Sequence, residues 1–457
     1  MKRIILFLVV VTIFAATGFA QEATTQKDQY GITVTSKPVS VFEEDGILVF
    51  RGDKYRIWLD TRIQADFSGY FGENPDFDKI GDGASIRRAR FAVKAQITPD
   101  WYGEIDIDAA DGVFELKDAI IRYTGVKNLE IQAGNFKENF SISRNTTSRY
   151  LQFMERPMVV QALTPSRFIG LNVKYSVPVF WASAGIAFQE IAGSEERIYV
   201  EDNNKDYGRG SGLSYTGKIV VRPLYQMSDA SLHIGGAISY RNPKSSVSTG
   251  DYGSTRFSTR NSTTVNRKKY LDTDLIRDTK FDLLYTVELA GHYKGLRYEG
   301  AYIWDNVFIK EDSQYNTETK LMQGWYFQAG YLLLGGTQSY DVGGAKYSKI
   351  SGGRKWGDIE LCLRYEFIDL NDFEGGVYGG SAEAYTAGIN VYFGKNFKFA
   401  VNYQYNNNDR YANGRGKLFV GYDADGNPTK DYTKVVAADG KAGVDYHMLS
   451  CRFQVAF

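Results

Sequence analysis

The 457 residues balance 54 Lys and Arg against 54 Asp and Glu, so no general attraction to nucleic acid follows, and two cysteines cannot build a disulfide framework. Tyr and Phe are abundant at 33 and 28, Gly numbers 47 and Pro only 9. With a mean hydropathy of −0.34, this composition argues against a bundle of membrane helices and for short strands.

In chain order, Met1-Lys2-Arg3 is a short basic start and Ile4 to Ala15 is a compact apolar run. Small residues around Gly18 and Ala20 follow. Residues 1–20 read as a secretory signal peptide cut after Ala20, because the apolar run is shorter than the roughly 20 residues a spanning helix needs. Residues 21–53 read as an N-terminal periplasmic extension. From residue 54 to residue 457 the pattern becomes period two, the mark of strands whose successive side chains point to opposite faces. Ile57, Leu59, Ile63, Ala65, Phe67 and Phe71 share one parity, and Arg56, Asp60, Arg62, Gln64 and Asp66 the other. The last segment repeats this, with Leu449, Cys451, Phe453, Val455 and Phe457 against Met448, Ser450, Arg452 and Gln454.

Sixteen such segments of about ten residues begin near residues 54, 85, 101, 114, 128, 168, 179, 214, 231, 279, 295, 323, 356, 383, 397 and 446. In a soluble sandwich the polar face would meet water, but here it carries charges on too many strands, with no helices to cover the other face. A closed barrel in lipid inverts the sense: apolar outward, polar toward a wet lumen, every backbone group paired. The predicted fold is therefore all-β: a transmembrane, antiparallel, up-and-down β-barrel of about 16 strands, wide enough for an aqueous channel. Short links at 98–100, 125–127, 176–178, 294–295 and 394–396 alternate with long ones at 72–84, 137–167, 190–213, 242–278, 305–322, 368–382 and 406–445. Two links break the alternation: 110–113 is short where a long one is due, and 334–355 is long where a short one is due. Cys362 and Cys451 fall on opposite faces of their strands and are expected to be free.

With the strands placed, four stretches resemble the phosphate-selective porin O/P family. Residues 86–93, IRRARFAV, resemble its paired-arginine second strand. Residues 116–136, LKDAIIRYTGVKNLEIQAGNF, are similar to its strand–turn–strand ending in Gly-x-Phe. Residues 145–156, NTTSRYLQFMER, resemble its third loop, and residues 326–347, YFQAGYLLLGGTQSYDVGGAKY, resemble a later signature. The resemblance implies a sixteen-stranded homotrimeric outer-membrane channel favouring small anions such as phosphate, with a long third loop folding inward. It also accounts for the long link at 334–355, where the family carries an extended segment. The family's Thr-Gly-Glu-x-Arg reads here as Gly335-Gly336-Thr337-Gln338-Ser339, so a charged pair is missing.

A porin does no covalent chemistry, so the functional residues are charges that face the lumen. Parity puts Arg62, Arg88, Arg90 and Lys94 there, and Arg88 also matches a family pore arginine. Arg87 has the opposite parity and is expected at the rim. Forked guanidinium donors suit an oxyanion; the competing reading is a structural ladder with Glu104, Asp106 and Asp108 on the next strand. By resemblance, Arg144 and Arg149 add positive charge on the third loop, where Glu155 and Arg156 pair with each other or with the wall. The fifth loop is basic, with Arg241, Lys244, Arg256, Arg260, Arg267, Lys268 and Lys269 against Asp251 between residues 241 and 269. A like-charged mouth of this kind concentrates anions; a solvated loop or a lipopolysaccharide contact is the alternative.

No cofactor and no metal site are expected; the loop acids near Asp369 and Asp423 read as solvated. The expected surroundings are outer-membrane lipid and lipopolysaccharide. Two other functions compete: a plugged structural or adhesion barrel, and an outer-membrane hydrolase. The hydrolase needs a partnered histidine, and none of His233, His292 and His447 has a partner that the sequence reveals.

Overall fold

The computed structural model describes residues 24–457 except 28–30, 37–38, 45–46, 113, 189–211, 244–252, 264, 267 and 438–441. The signal segment 1–20 and Arg267 therefore lie outside the described residues, as does Lys244.

Among the described residues, sixteen antiparallel strands close a barrel. They are β1 (Arg56–Phe71), β2 (Gly83–Gln96), β3 (Trp101–Asp108), β4 (Glu115–Tyr123), β5 (Leu129–Lys137), β6 (Arg167–Ser176), β7 (Phe180–Ala187), β8 (Ser214–Val221), β9 (Ala230–Arg241), β10 (Thr279–Tyr293), β11 (Leu296–Ile309), β12 (Lys320–Leu332), β13 (Gly357–Asp372), β14 (Val377–Phe393), β15 (Phe397–Asn408) and β16 (Tyr446–Ala456). Each pairs with its neighbour, and β16 closes on β1 from His447↔Phe71 to Ala456↔Arg62. The predicted starts lie within a few residues of these. The largest displacement is at β14, which begins six residues early, at Val377, because the mostly small, glycine-rich run 379–382 hides its alternation.

Alternation fixes which way each side chain faces. Along β16, Tyr446, Met448, Ser450, Arg452, Gln454 and Ala456 are buried, while the residues between them are exposed or half-buried. Buried here means facing the lumen. Leu449, Phe453 and Phe457 stand outward, as do Phe91 and Val93 on β2. Cys362 is buried toward the lumen and Cys451 is half-buried on the outer face; both are free thiols.

The wall is uneven. Strands β3 to β8 have 8, 9, 9, 10, 8 and 8 residues, whereas β10 to β14 have 13 to 17. An 8-residue strand tilted by 45° rises roughly 19 Å, short of the roughly 25 Å apolar band of an outer-membrane barrel. The barrel thus has a low side and a tall side.

Three segments fold into the lumen. The third loop carries α1 (Ile142–Asn145), a 3-10 turn at Ser148–Tyr150 and α2 (Met158–Leu163). The fifth loop sends in a small hairpin, Ser258–Thr259 paired with Leu271–Asp272. Against the tall side these build an apolar core inside the barrel: Met158, Val159, Val160 and Leu163 of α2 with Phe257, Tyr270 and Leu271, on Leu284, Ile303, Met322 and Ile368. The third intruder is the long link between β12 and β13, which forms a hairpin (Tyr340–Asp341 with Lys346–Tyr347). Its Tyr347 hydroxyl donates to Gly291 O and Tyr298 O at 2.8 and 2.5 Å, and the Arg297 guanidinium stacks 3.7 Å over its ring. That link is long because it fills the barrel's other mouth rather than turning outside it. The short link at 110–113 is a 3-10 turn, Ala110–Gly112, topping the low side.

Upstream of β1, Ser40–Glu44 and Ile47–Arg51 form a hairpin whose second strand pairs with the start of β1, Val49↔Trp58 to Arg51↔Arg56. β16 reaches β1 only from Arg62 onward, so the hairpin covers the part of that edge that β16 leaves open.

Candidate functional site

Loops over a lumen need their backbone groups paired, since buried orphans cost about 1–3 kcal/mol each. The third loop solves this with wall side chains. Between residues 148 and 155 the chain crosses the barrel as a strap, and its carbonyls accept from all round the wall. Arg149 O accepts from Gln454 (3.2 Å), Tyr150 O from Arg297 (2.8 Å), Leu151 O from Lys398 (2.7 Å), Gln152 O from Asn390 (2.8 Å), Met154 O from Arg452 (2.5 Å) and Glu155 O from Arg364 (2.8 Å). Gly330 on β12 makes room for it: a Cβ there would lie 2.3 Å from the Gln152 amide nitrogen.

Charge anchors the strap as well. Glu155 Oε1 lies 2.6 Å from Arg87 Nε, 3.0 Å from Arg452 Nη2 and 3.9 Å from Arg88 Nη1. Burial would raise the Glu155 carboxyl, but Arg87, Arg88 and Arg452 outweigh it and hold it well below the ordinary carboxylate range. Arg87 is therefore not at the rim. A β-bulge between Gln64 and Ala65 pairs those residues with Arg88 and Ile86, leaving Arg87 as the extra residue, and it swings inward to Glu155. Period-two counting cannot see a bulge. The two helices start against wall carboxylates, which suits their N-termini: Glu288 accepts Ile142 N at 2.8 Å, and Glu366 accepts Met158 N.

The predicted cations divide into two groups. One lines a cavity of about 400 Å³ between the strap and the low side. Arg62, Arg90, Lys94 and Arg149 are there. Arg90 pairs with Asp108 at 2.9 Å and with Asp106 at 3.5 Å, and Lys94 with Asp60 at 2.6 Å and Glu104 at 3.5 Å. Arg149 pairs with Asp60, and Arg62 donates to the Ser148 hydroxyl. The ladder with the β3 acids is thus present, within the cavity wall itself. Five further cations share this lining, Arg122, Lys137, Arg167, Lys174 and Lys346, giving nine against the five carboxylates of Asp60, Glu104, Asp106, Asp118 and Glu130. Lys346 arrives on the hairpin between β12 and β13, so strand parity gave no hint of it.

The second group is held elsewhere. Arg88 donates to Gln64 Oε1 at 2.6 Å behind the strap. Arg144 clamps the end of α2, with Nε 2.8 Å from Thr164 Oγ1 and Nη2 3.0 Å from Thr164 O. Arg156, expected to pair with Glu155 or the wall, instead donates to Ser143 O and Thr146 O at 2.8 and 2.7 Å. Arg241 sits 3.8 Å from Asp282 and 5.4 Å over the Phe168 ring. Arg256 forks onto Asp272 at 2.8 and 2.5 Å. Lys268 donates to Asp78 O at 2.7 Å, Lys269 to Ser258 Oγ at 3.1 Å, and Arg260 is half-buried in the same stretch. Just beyond this basic stretch, Asp272 neutralises Arg256.

The histidines do gain partners that sequence could not show. His233 is fully buried between Glu288 Oε1 at 2.8 Å and the Tyr340 hydroxyl at 2.7 Å. Both ring nitrogens are engaged inside the wall. His447 stacks on Phe71 at 5.3 Å on the outer face, in an aromatic band with Tyr403 and Tyr405.

The family model described as Phosphate-selective porin O and P matches residues 57–425. Porin O of Pseudomonas aeruginosa is 21% identical over 443 residues, covering 88% of this chain and 95% of that protein. An uncharacterized protein of Caulobacter vibrioides is 25% identical over 352 residues, 75% of this chain and 66% of that relative. Among solved structures, the anion-selective porin from Comamonas acidovorans superposes with a TM-score of 0.50 at 11% identity, covering 88% of this chain and 100% of that one. OmpT of Vibrio cholerae gives a TM-score of 0.50 at 12% identity, covering 89% and 99%. A closed sixteen-stranded barrel with an inward third loop, matched over most of its length by this family model, belongs to the phosphate-selective porin O and P family and is a porin of a Gram-negative outer membrane.

Proposed function

We propose that this porin passes small anions passively along the low side of its barrel, and that phosphate, the anion of the family's description, is among them. The observation that carries this is the cavity lining: nine cations against five carboxylates, with Arg62, Lys137 and Lys346 making no ion pair among the described residues. A low-dielectric wall focuses that excess charge, and salt weakens it beyond a Debye length of about 8 Å at physiological strength. Arg62, Arg90, Lys94 and Arg149 are the predicted residues we assign to the path. Arg88, Arg144 and Arg256 we assign to holding the loops. Arg241, Arg260, Lys268 and Lys269 we place around the fifth loop's root and inward fold.

Reversal potentials in planar bilayers under a dilute potassium chloride gradient test this. Anion preference is expected, steepest at low salt. Cation preference would overturn the anion reading, and absence of conductance would favour the plugged barrel that three inward segments would also suit. We further propose a homotrimer with its low sides together, because strands of 8 to 10 residues leave that wall short of the lipid band. Lipopolysaccharide would then border the tall side. Residues 1–20 are assigned as the cleaved signal peptide and 21–53 as the periplasmic extension.

A further inference from the structure

We propose that the centre of the cavity binds zwitterions: small solutes that carry one carboxylate and one ammonium group, such as amino acids and short peptides. The inference rests on the channel reading above and names a solute class for it.

Two features of opposite sign carry the argument. On β3 and β4, carboxylate oxygens of Glu104, Asp106 and Asp118 lie within 4.8 Å of one another. Asp106 is only 5% exposed, and its Oδ1 has no hydrogen-bond partner. On β1, Arg62 is only 6% exposed, and its Nε has no partner either. All four residues line the same cavity. A buried acceptor and a buried donor, each incompletely used, line one space.

Charge decides between ligands. The ion-paired network around the trio holds five carboxylates, Asp60, Glu104, Asp106, Asp108 and Asp118, and four cations, Arg90, Lys94, Arg149 and Arg167. One negative charge is left over. A single ammonium balances it and offers three N–H donors to three carboxylates. A divalent metal would overshoot by one charge while sitting against Arg90 and Lys94. Arg62 supplies the complementary cation for a carboxylate, with forked donors that suit it. Between β1 and β3 lie two strand spacings, roughly 10 Å at 4.8 Å each, which inward-pointing side chains shorten to the reach of a dipeptide.

The test uses the full-length channel in planar bilayers carrying a chloride current. Dialanine is added, then N-acetyl-dialanine, which keeps the carboxylate and loses the ammonium. Dialanine is expected to block at a concentration about tenfold lower, the worth of one charge-assisted hydrogen bond. In Asp106→Asn, of nearly the same shape, that difference is expected to vanish; Glu104→Gln serves if the first variant fails to fold. Equal block by both compounds in the unmodified channel would overturn the proposal. So would unchanged dialanine block in the variants, or loss of orthophosphate block alone. Failure of the channel reading would show separately, as no chloride current or a cation preference.

Discussion

Replacing Glu155 by Gln should loosen the strap without changing its shape. The carboxylate is gripped by Arg87 and Arg452 within 3.0 Å and approached by Arg88 at 3.9 Å. Arg452 keeps Asp66, with both contacts at 2.6 Å, but Arg87 has no other ion pair among the described residues. Removing one member of a buried charge cluster costs about 3–5 kcal/mol, because it leaves buried charge uncompensated. Not all of that falls on the loop, since six strap carbonyls still accept from the wall. If about 3 kcal/mol does, the population of strap-released channels rises on the order of a hundredfold. Single-channel recording reads this directly, as flickering between the native conductance and a larger one. Limited trypsin digestion reads it independently, through cleavage after Arg149. A quiet current at the native level, together with unchanged resistance to trypsin, would refute the claim that charge pins the strap.

Other outcomes follow from the same geometry. Lowering the pH to about 5.5 should leave the strap in place: a carboxyl held below its ordinary value of 4.5 stabilises fully above that value, and loses its contribution only as pH falls below it toward the depressed one, so current noise should be unchanged at pH 5.5 and rise only at pH below 4.5. Arg62→Met should lower the chloride-to-potassium permeability ratio in reversal-potential measurements, whereas Arg256→Met, which removes a charge outside the cavity lining, should move the ratio less. Gly134→Ala should fail to assemble, judged by loss of the heat-modifiable band on gels, because Gly134 has φ +121° and a Cβ there would meet Ala119 O at 2.0 Å.

The frame of the barrel was legible because lipid on one side and water on the other impose period two on every strand, so Leu449, Phe453 and Phe457 separate from Arg452 and Gln454 without further information. Turn placement followed from the same rule. What escaped was whatever departs from period two. The bulge at Arg87 reverses one side chain. Gly134 breaks the β5 alternation, so that Asn135 and Phe136 are both buried. The partners of buried charges escaped for a different reason. Glu155 meets Arg452 across 297 residues, and Glu288 meets the start of α1 across 146. No local spacing encodes such pairs, so cations chosen by parity alone mixed those that face the cavity with those that brace the loops.

The hairpin at Ile47–Arg51 occupies the same edge of β1 as β16, end to end with it. It therefore acts as a doorstop for the final seam. Were β16 to slide along β1 by one dyad in that direction, Phe457, whose backbone already exchanges bonds with Thr61, would run toward the stretch the hairpin holds. In a closed barrel the stagger at the seam and the strand number together set the bore. A few residues outside the ring thus help decide how wide the ring is, and a chain lacking them would be expected to close with mixed bores rather than with one.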